Sequence, residues 1–462
     1  MAAASPSVGS SRQPPGLYLL FGVEMWERFS YYGMRAFLVL FLVSTAGGFG
    51  WSKQEATNLY GWYTGLVYLT PLIGGYLADR VLGTHRALII GSVVIASGHF
   101  CLAIQSRPTF FLGLGLIILG TGFFKSNIST MVGQLYQPND RRRDAAFTIF
   151  YMGINTGAAL GPIVCGYLAQ NPCFGWHWGF GAAGVGMVLG LVTYLFLKKR
   201  YLPDIGAVPA DRLTLQTVRD SLVRIFRGRP GPTKTPLSSD DKRGMAAIAV
   251  LAFFNIFFWV AFEQAGSSMN FFAEERTQHR FLGMDFLAPY FQSVNPVAII
   301  VLAPLFAWMW GRLAARGREP STPVKFATGL FLMSASFAIM VVAARLSDGG
   351  VAVSPLWLIA TYVLQTCGEL CLSPVGLSMV TKLAPARFAS LMMGMWFLAF
   401  FISDRVAGIL AGQVERVERG EVFHLLGGQA DFFLMFVVVT IMASVGLLAL
   451  AGPVRRLIRG RA

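Results

Sequence analysis

Long apolar segments alternate with short polar connections along nearly the whole chain. Each segment has about 20 or more residues, which is enough for an α-helix to cross a hydrocarbon layer about 30 Å thick. The pattern therefore predicts an all-α membrane protein with twelve transmembrane helices. The predicted spans are residues 17–44, 55–79, 87–106, 109–135, 144–170, 177–197, 244–272, 286–311, 322–344, 354–381, 386–412 and 430–452.

The longest polar connection divides these spans into two sets of six. Within it, Leu215, Val218 and Leu222 recur at helical spacing with arginines on the other faces, which favours an amphipathic helix at the membrane surface. The expected organisation is a disordered tail at 1–16, a six-helix bundle at 17–199, a cytoplasmic linker with this helix at 200–243, a second six-helix bundle at 244–452 and a basic cytoplasmic tail at 453–462.

The charge distribution supports this interpretation and predicts an orientation. Charged residues make up 13% of the chain, about half of the fraction typical of soluble proteins. The net charge is +15, and 27 of the 38 basic residues lie on the side that would hold both termini, against seven opposite. Since Lys and Arg are retained on the cytoplasmic side, we expect a multi-pass protein of the cell (inner or plasma) membrane with both termini cytoplasmic. The basic charge then requires no nucleic acid as partner.

Nine charged residues lie at bilayer depth, away from the ends of the predicted spans. Each isolated charge at that depth costs about 2.5–3.5 kcal/mol on insertion scales, so these residues must face one another or water. So many buried charges are more than helix packing requires, and they indicate a transport site. They are Glu24, Glu27, Arg28, Arg35, Lys125, Glu263, Glu369, Asp404 and Arg405.

The first span carries most of this charge on one face. At 100° per residue, Glu24, Glu27, Arg28, Tyr31 and Arg35 fall within about 100° of arc and extend over about 16 Å. Desolvation raises the pKa of a buried carboxyl group and a nearby cation lowers it. A carboxyl group balanced between these effects can bind and release a proton when its partner moves.

Depth in the membrane suggests partners in the other half of the chain. Arg35 and Glu263 both fall in the outer half of spans that run outward, and Lys125 and Glu369 both fall near the middle. Two pairs of opposite charge at two depths are what alternating gates require. Lys125 has competing partners, because it could instead reach Glu24 or Glu27 of the first span.

Further polar and aromatic residues lie at membrane depth. For any one of them, packing is as good an explanation as contact with a ligand. Together they indicate a cavity with aromatic walls and both signs of charge, which suits a zwitterion with varied side chains. They are Tyr32, Tyr68, Asn155, Asn295 and Trp396.

The sequence gives little support to an enzyme or a metalloprotein. Cys367 and Cys371 are four residues apart and could share a helix face, but no His pair lies nearby, so packing is the favoured explanation. No His–Glu metal motif, Ser/His/Asp set or nucleotide-binding loop is visible. We therefore expect no catalytic activity, metal or cofactor.

Six segments contain closely spaced polar and glycine patterns that are more specific than composition. They are Glu24-Met-Trp-Glu27-Arg28-Phe-Ser-Tyr31-Tyr32-Gly33, Gly75-Tyr-Leu-Ala-Asp79-Arg80-Val-Leu-Gly83-Thr-His-Arg86, Gly120-Thr-Gly-Phe-Phe-Lys125-Ser-Asn, Phe150-Tyr151-Met-Gly-Ile-Asn155-Thr-Gly157, Phe258-Trp259 through Glu263-Gln264, and Gly368-Glu369-Leu-Cys-Leu-Ser-Pro374.

The second of these segments resembles the loop that characterises the major facilitator superfamily. The other five resemble motifs of the proton-dependent oligopeptide transporters within that superfamily, and the similarity runs from the first span to the eleventh. The resemblance implies the two-half, twelve-helix fold and the function of a symporter that imports di- and tripeptides with protons by alternating access. The proton gradient would drive it without a cofactor, and we expect a monomer.

The resemblance also implies roles for individual residues. Arg35 with Glu263 would form the outer gate, and Lys125 with Glu369 the inner gate. Proton coupling would involve Glu24, Glu27, Arg28, Lys125 and Glu263. Arg35 and Lys125 would meet the peptide carboxylate, Glu369 the peptide amine with help from Asn155 and Asn295, and Tyr31, Tyr32, Tyr68 and Trp396 would line side-chain pockets.

Three features depart from the family pattern. Residues 200–243 are too polar to supply the two extra helices of many bacterial members. Animal members have a His on the second span where this chain has Gly61, so proton coupling would rest on carboxylates. Asp404-Arg405 is not part of the pattern and could be a local pair or a third gate contact. The alternative function is proton-coupled transport of another small metabolite, such as nitrate, a drug or a peptide-like compound.

Overall fold

The computed structural model describes residues 12–137, 140–209, 238–281, 283–385 and 388–458. The predicted amphipathic helix of the linker lies outside these ranges. The helices are α1 (Pro15–Val43), α2 (Lys53–Leu77), α3 (Thr84–Ala103), α4 (Arg107–Gln134), α5 (Arg142–Gln170), α6 (Trp176–Tyr201), α7 (Ser239–Phe262), α8 (Ser268–Arg276), α9 (Val294–Ala315), α10 (Thr322–Ser347), α11 (Leu356–Leu383), α12 (Ala389–Ala411), α13 (Val414–Glu418), α14 (Gln429–Ala449) and α15 (Ala451–Ile458), with β1 (Arg280–Phe281) and β2 (Met284–Asp285) forming an antiparallel pair.

Each of the twelve predicted spans coincides with a helical segment in the described residues. The seventh span is broken, because a 3-10 turn at Glu263–Gly266 separates α7 from α8. The eighth begins with another 3-10 turn, Ala288–Ser293, before α9. The last described segment of the predicted basic tail is helical, since α15 continues to residue 458.

Ten of these helical segments are apolar and long enough to cross a membrane. The other two are α1 and α2. Any 18-residue window of α1 holds at least three charged residues, and α2 is rich in Tyr, Thr and Gly. The charge of α1 is tolerated because this helix is buried on nearly all sides and packs against α5 and α6. In contrast, α2 keeps large side chains such as Trp62 and Ile73 exposed.

Most helices pack against others from the same half of the chain. In the first half α3 contacts α4 and α6, and in the second half α10 contacts α11 and α14. Contacts between the halves are made by α2 with α12, by α5 with α9, and by α1 with the 3-10 turn at 263–266. The polar helices α1 and α2 therefore lie where the two sets of helices meet.

The two ends of the helical assembly differ in how they are joined. We call the end with the 44–52 connection the outer end and the opposite end the inner end. Near the outer end, Lys53 Nζ lies 2.7 Å from a Glu275 carboxylate oxygen, and Asn270 Nδ2 donates to the carbonyl of Ala36 at 2.7 Å. Between described residues, every hydrogen bond or ion pair that joins the two halves lies in the outer half of the molecule. This arrangement closes the outer end.

Candidate transport site

The charged face predicted on α1 is present and buried. Glu24, Glu27 and Arg28 are 3%, 0% and 3% exposed. The Arg28 Nε lies 3.1 Å from a Glu24 carboxylate oxygen and forms a second, close ion pair with Glu27. One guanidinium thus serves two carboxylates, and the cluster has one negative charge in excess if both are ionised.

Tyrosines continue this face toward the outer end. The Arg28 guanidinium carbon is 5.5 Å from the centre of the Tyr31 ring, within range of a cation–π interaction. Tyr31 stacks on Tyr63 of α2 at 6.3 Å between ring centres and meets Tyr32 edge-on at 5.1 Å. Tyr31 is buried and Tyr32 is partly exposed, so of this predicted pocket pair Tyr32 is the more accessible to a ligand.

The predicted outer pair is formed in the structure. Arg35 makes a close ion pair with Glu263, although 228 positions separate them along the chain. The Arg35 Nε also donates to the Tyr60 hydroxyl of α2. All three side chains are less than a tenth exposed, so α1, α2 and the turn after α7 are held together by a buried polar contact.

The broken seventh span provides the space for this contact. A Cβ atom on Gly266 would lie 1.8 Å from the Tyr60 hydroxyl and 3.3 Å from an Arg35 guanidinium nitrogen. No side chain larger than hydrogen fits there without displacing Tyr60. The 3-10 turn therefore allows the backbone to approach the Arg35 contact while it presents Glu263 to the same group.

Lys125 of α4 has no ion pair with any described residue. Its Nζ lies 4.0 Å from the centre of the Tyr68 ring, and that ring stacks on Phe400 of α12 at 5.3 Å. The charges of Glu24 and Glu27 act on Lys125 from α1. Lys125 is therefore held by an aromatic ring in this structure, close to the α1 carboxylates rather than bound to Glu369.

Glu369 of α11 is paired within its own half of the chain. It is 7% exposed and accepts a hydrogen bond from Asn295 Nδ2 at 2.9 Å. The same amide donates to the Thr366 hydroxyl at 2.9 Å. Glu369 and Asn295, which were both expected to act on the peptide amine, are thus in contact, and their roles toward a ligand stay a prediction. The predicted Lys125–Glu369 ion pair is not formed in this conformation.

The side chains of Asn155 and Trp396 contact neighbouring groups of the protein. Asn155 Nδ2 donates to the Tyr151 carbonyl of its own helix at 2.8 Å. Trp396 is 3% exposed and packs tightly on α11, where a Cβ on Gly376 would lie 2.5 Å from its ring. Both side chains are satisfied by local packing here, so their contact with a ligand stays a prediction.

Tyr60 was not among the residues that the sequence singled out. Its hydroxyl is the second partner of Arg35, and its ring faces the guanidinium at 5.6 Å. A signal was available, because Tyr60, Tyr63 and Tyr68 fall on neighbouring faces of α2 at 100° per residue. Tyr60 was overlooked because only Tyr68 was selected from this side of α2.

No group of three or more metal-ligating side chains occurs in the described part of the chain. Cys367 and Cys371 are free thiols there, and Cys371 is buried. The site is therefore built from ion pairs, amides and aromatic rings.

Comparison with known proteins places this geometry in a family. The profile described as the POT family matches residues 85–205 and 214–425. The peptide transporter YePEPT of Yersinia enterocolitica subsp. palearctica serotype O:3 (strain YE-P4) is 37% identical, covering 95% of this chain and 94% of that protein. A di-/tripeptide transporter of Lactococcus lactis subsp. cremoris is 35% identical, covering 96% of each. A crystal structure of a POT family transporter in complex with 5-aminolevulinic acid is 30% identical with a TM-score of 0.85, covering 97% of this chain and 98% of that one.

The chain thus belongs to the POT family of membrane transporters, as its motifs predicted. Its fold is the almost entirely helical, multi-pass fold of the major facilitator superfamily. Its relatives are transporters and not enzymes.

Proposed function

We propose that this protein is a proton-coupled symporter that imports di- and tripeptides across the cell membrane by alternating access. The two sets of six helices would act as two bundles, with both termini in the cytoplasm and the chain working as a monomer. The proton gradient would be the only energy source, with no cofactor and no catalytic step. The names of two relatives, a peptide transporter and a di-/tripeptide transporter, support the substrate class.

One observation gives the main support for proton coupling. Glu24 and Glu27 share the single guanidinium of Arg28, and all three are buried. A buried carboxylate without a cation is strongly disfavoured. The excess charge must therefore be neutralised either by Lys125, whose charge acts on both carboxylates, or by a proton.

Substrate binding would change whether Lys125 or a proton neutralises the excess charge of the α1 carboxylates. A peptide carboxylate that engages Lys125 and Arg35 removes Lys125 from the α1 carboxylates, and one of these then binds a proton. The peptide amine would bind Glu369, whose hydrogen bond to Asn295 already orients it. Proton and peptide then stabilise the same state, which is the thermodynamic requirement for coupled transport.

Gating follows from the same groups. Glu263 holds Arg35 when the outer end is closed. Protonation of Glu263 would release Arg35 and open this end, and a Lys125–Glu369 pair would then close the inner end. Tyr31, Tyr32, Tyr68, Asn155 and Trp396 are proposed to line the peptide side-chain and backbone pockets.

Uptake of labelled dialanine into liposomes with an imposed inward proton gradient tests the proposal. We expect Glu27→Gln to abolish gradient-driven accumulation and to retain exchange of labelled for unlabelled peptide, which needs no net proton movement. Asp285→Asn is the matched control, because Asp285 is exposed in the β2 strand. Accumulation by the unaltered protein without a gradient, or normal accumulation by the Glu27 variant, would refute coupling through this cluster.

A second candidate substrate class is a small zwitterion. The related POT family transporter of known structure was crystallised with 5-aminolevulinic acid, which carries an amine and a carboxylate on a short chain. Competition for uptake distinguishes the two classes. Dialanine should inhibit at lower concentration than 5-aminolevulinic acid if peptides are the substrate, and the reverse order would favour the alternative.

A further inference from the structure

Asp404 is a buried carboxylate with no partner cation of its own. It lies on α12 and is 3% exposed, and its Oδ2 atom has no hydrogen-bond partner among the described residues. The neighbouring Arg405 is not that partner. Its guanidinium lies 4.4 Å from the Trp62 ring and donates to the Asn58 side chain at 3.0 Å. Consecutive residues of a helix point about 100° apart, which keeps the two side chains on different faces.

Two backbone contacts place Asp404 beside the outer pair. The Asp404 carbonyl meets α2 at Gly61, where a Cβ would lie 2.8 Å from that oxygen, and Gly61 adjoins Tyr60. One turn further along α12, the Ala407 carbonyl accepts a hydrogen bond at 3.2 Å from Gln264, the residue after Glu263. Both elements that hold Arg35 are thus attached to α12 at the level of Asp404.

The charged groups that act on Asp404 are the two members of the outer pair and Lys125. Arg35 from α1, Lys125 from α4 and Glu263 from the turn after α7 act on it electrostatically. From α2 the neighbouring groups are the hydroxyls of Tyr60 and Tyr68. Two carboxylates, Glu263 and Asp404, therefore interact electrostatically with one guanidinium, and that guanidinium forms its ion pair with Glu263.

This arrangement sets the protonation state of Asp404. While Arg35 is paired with Glu263, an ionised Asp404 would be an uncompensated charge in the protein interior, which costs several kcal/mol. A neutral carboxyl group avoids that cost. If Glu263 becomes neutral, Arg35 loses its partner and an ionised Asp404 can replace it.

We propose that Asp404 is a second proton-binding carboxyl group of the outer gate, which takes up a proton when Arg35 pairs with Glu263 and releases it when Arg35 is freed. The proton would be exchanged with water, and no bond to any other atom is made or broken. Asp404 then acts as a positioning residue for Arg35 and binds its proton in the opposite phase to Glu263. This inference rests on the proposed proton coupling, but its first test does not.

The first test is labelling with dicyclohexylcarbodiimide, which modifies protonated carboxyl groups in apolar surroundings, followed by mass spectrometry of the peptide that contains residue 404. We expect modification of Asp404 in the unaltered protein. In Glu263→Gln the modification should fall about tenfold for each pKa unit by which the freed Arg35 favours the ionised form. Asp285→Asn should label like the unaltered protein. An unmodified Asp404, or equal labelling in Glu263→Gln, would overturn the proposal.

The second test measures the proton-to-peptide ratio from the membrane voltage that stops dialanine flux in liposomes. Asp404→Asn should raise the ratio by one proton while peptide exchange persists, because Asp404 holds its proton in the outer-closed state and releases it in the outer-open state, opposite to Glu263. Asp404→Glu should restore the ratio. An unchanged ratio in the Asn variant contradicts the proposal. If the unaltered protein ignores the gradient, the proposed symport fails, and the labelling difference still decides whether Asp404 and Glu263 compete for Arg35.

Discussion

The outer and inner charged pairs of this transporter were predicted by one argument, yet they differ in the structure. Arg35 crosses from α1 to the turn after α7 and pairs with Glu263. Lys125 and Glu369 each stay within their own half, with Lys125 over the Tyr68 ring and Glu369 bonded to Asn295. An ion pair therefore joins the two halves of the chain at the level of Arg35 and Glu263. No such pair joins Lys125 to Glu369.

The difference shows how such a protein tolerates buried charges. Removing one member of a buried ion pair costs about 3–5 kcal/mol, because the remaining charge is uncompensated. A gate that opens must therefore offer each charge a substitute partner. Lys125 has an aromatic ring and nearby carboxylates, Glu369 has an amide, and Arg35 has Tyr60 and the neighbouring Asp404.

The largest effect is expected from breaking the outer pair. Arg35→Leu leaves Glu263 buried without a cation and should destabilise the outer-closed state by about 3–5 kcal/mol. The measurement is the thermal unfolding midpoint in micelles, together with reaction of a cysteine introduced at Ser293 with an impermeant thiol reagent. Ser293 is buried beside Ala159 of α5, so its accessibility reports opening.

The matched control for this variant is Arg405→Leu, because Arg405 is partly exposed and contacts Trp62 rather than a carboxylate. It should shift the unfolding midpoint far less. The double variant Arg35→Leu, Glu263→Leu should recover most of the loss, since no buried charge then remains unpaired. Equal losses for Arg35→Leu and Arg405→Leu would mean that the Arg35–Glu263 ion pair contributes no more than another contact between the halves at the outer end.

A smaller effect is expected where α2 and α12 touch. Gly61→Ala puts a Cβ 2.8 Å from the Asp404 carbonyl and 3.1 Å from the Gly408 Cα. Overpacking of this kind costs about 1–3 kcal/mol. Gly22→Ala is the control, because nothing lies within 4 Å of its added Cβ. Unfolding midpoints compare the two, and equal midpoints would show that the contact at Gly61 is loose.

Loss of the Asn295 amide, which donates to Glu369, should reduce stability less than the Arg35 and Gly61 substitutions. Asn295→Ala removes hydrogen bonds to Thr366 and Glu369, and a typical hydrogen bond contributes about 1 kcal/mol. We expect a small fall in the unfolding midpoint and a larger rise in the KM for dialanine, because Glu369 is no longer oriented. Thr366→Val, which keeps the Asn295–Glu369 bond, should leave KM nearly unchanged. A KM change of the same size in both variants would argue against orientation by Asn295.

The smallest effect is expected at Lys125. Tyr68→Leu removes a cation–π contact of about 0.5–1 kcal/mol, whereas Tyr68→Phe keeps the ring. The unfolding midpoint should fall slightly in the Leu variant and stay unchanged in the Phe variant. Uptake by both variants then shows whether the hydroxyl group also contacts substrate. Identical midpoints in all three proteins would mean that the ring does not hold Lys125.

Much of the fold and of the candidate site could be predicted, because these features follow from residues that lie close together in the sequence. Span length gave the helices, and the 3.6-residue period placed Glu24, Glu27 and Arg28 on one face of α1. Depth alone was sufficient to pair Arg35 with Glu263, because both lie at the outer level of neighbouring parallel helices.

The same depth argument did not fix the partner of Lys125. Two groups at equal depth meet only if their helices are close, and that separation depends on the conformation of the two halves. Tyr60 was missed for a related reason, since its role comes from the close approach of Gly266 in another half of the chain.

By itself, the sequence determined that the chain is a multi-pass helical transporter with a charged face on α1, because apolar length, helical period and local motifs are properties of contiguous residues. Only the tertiary structure decided that Arg28 pairs with two carboxylates, that Tyr60 contacts Arg35, and that Asp404 is buried while Arg405 contacts Trp62 instead of Asp404. These outcomes depend on which neighbours helix packing brings within a few ångströms, and buried charges are stabilised by those neighbours alone.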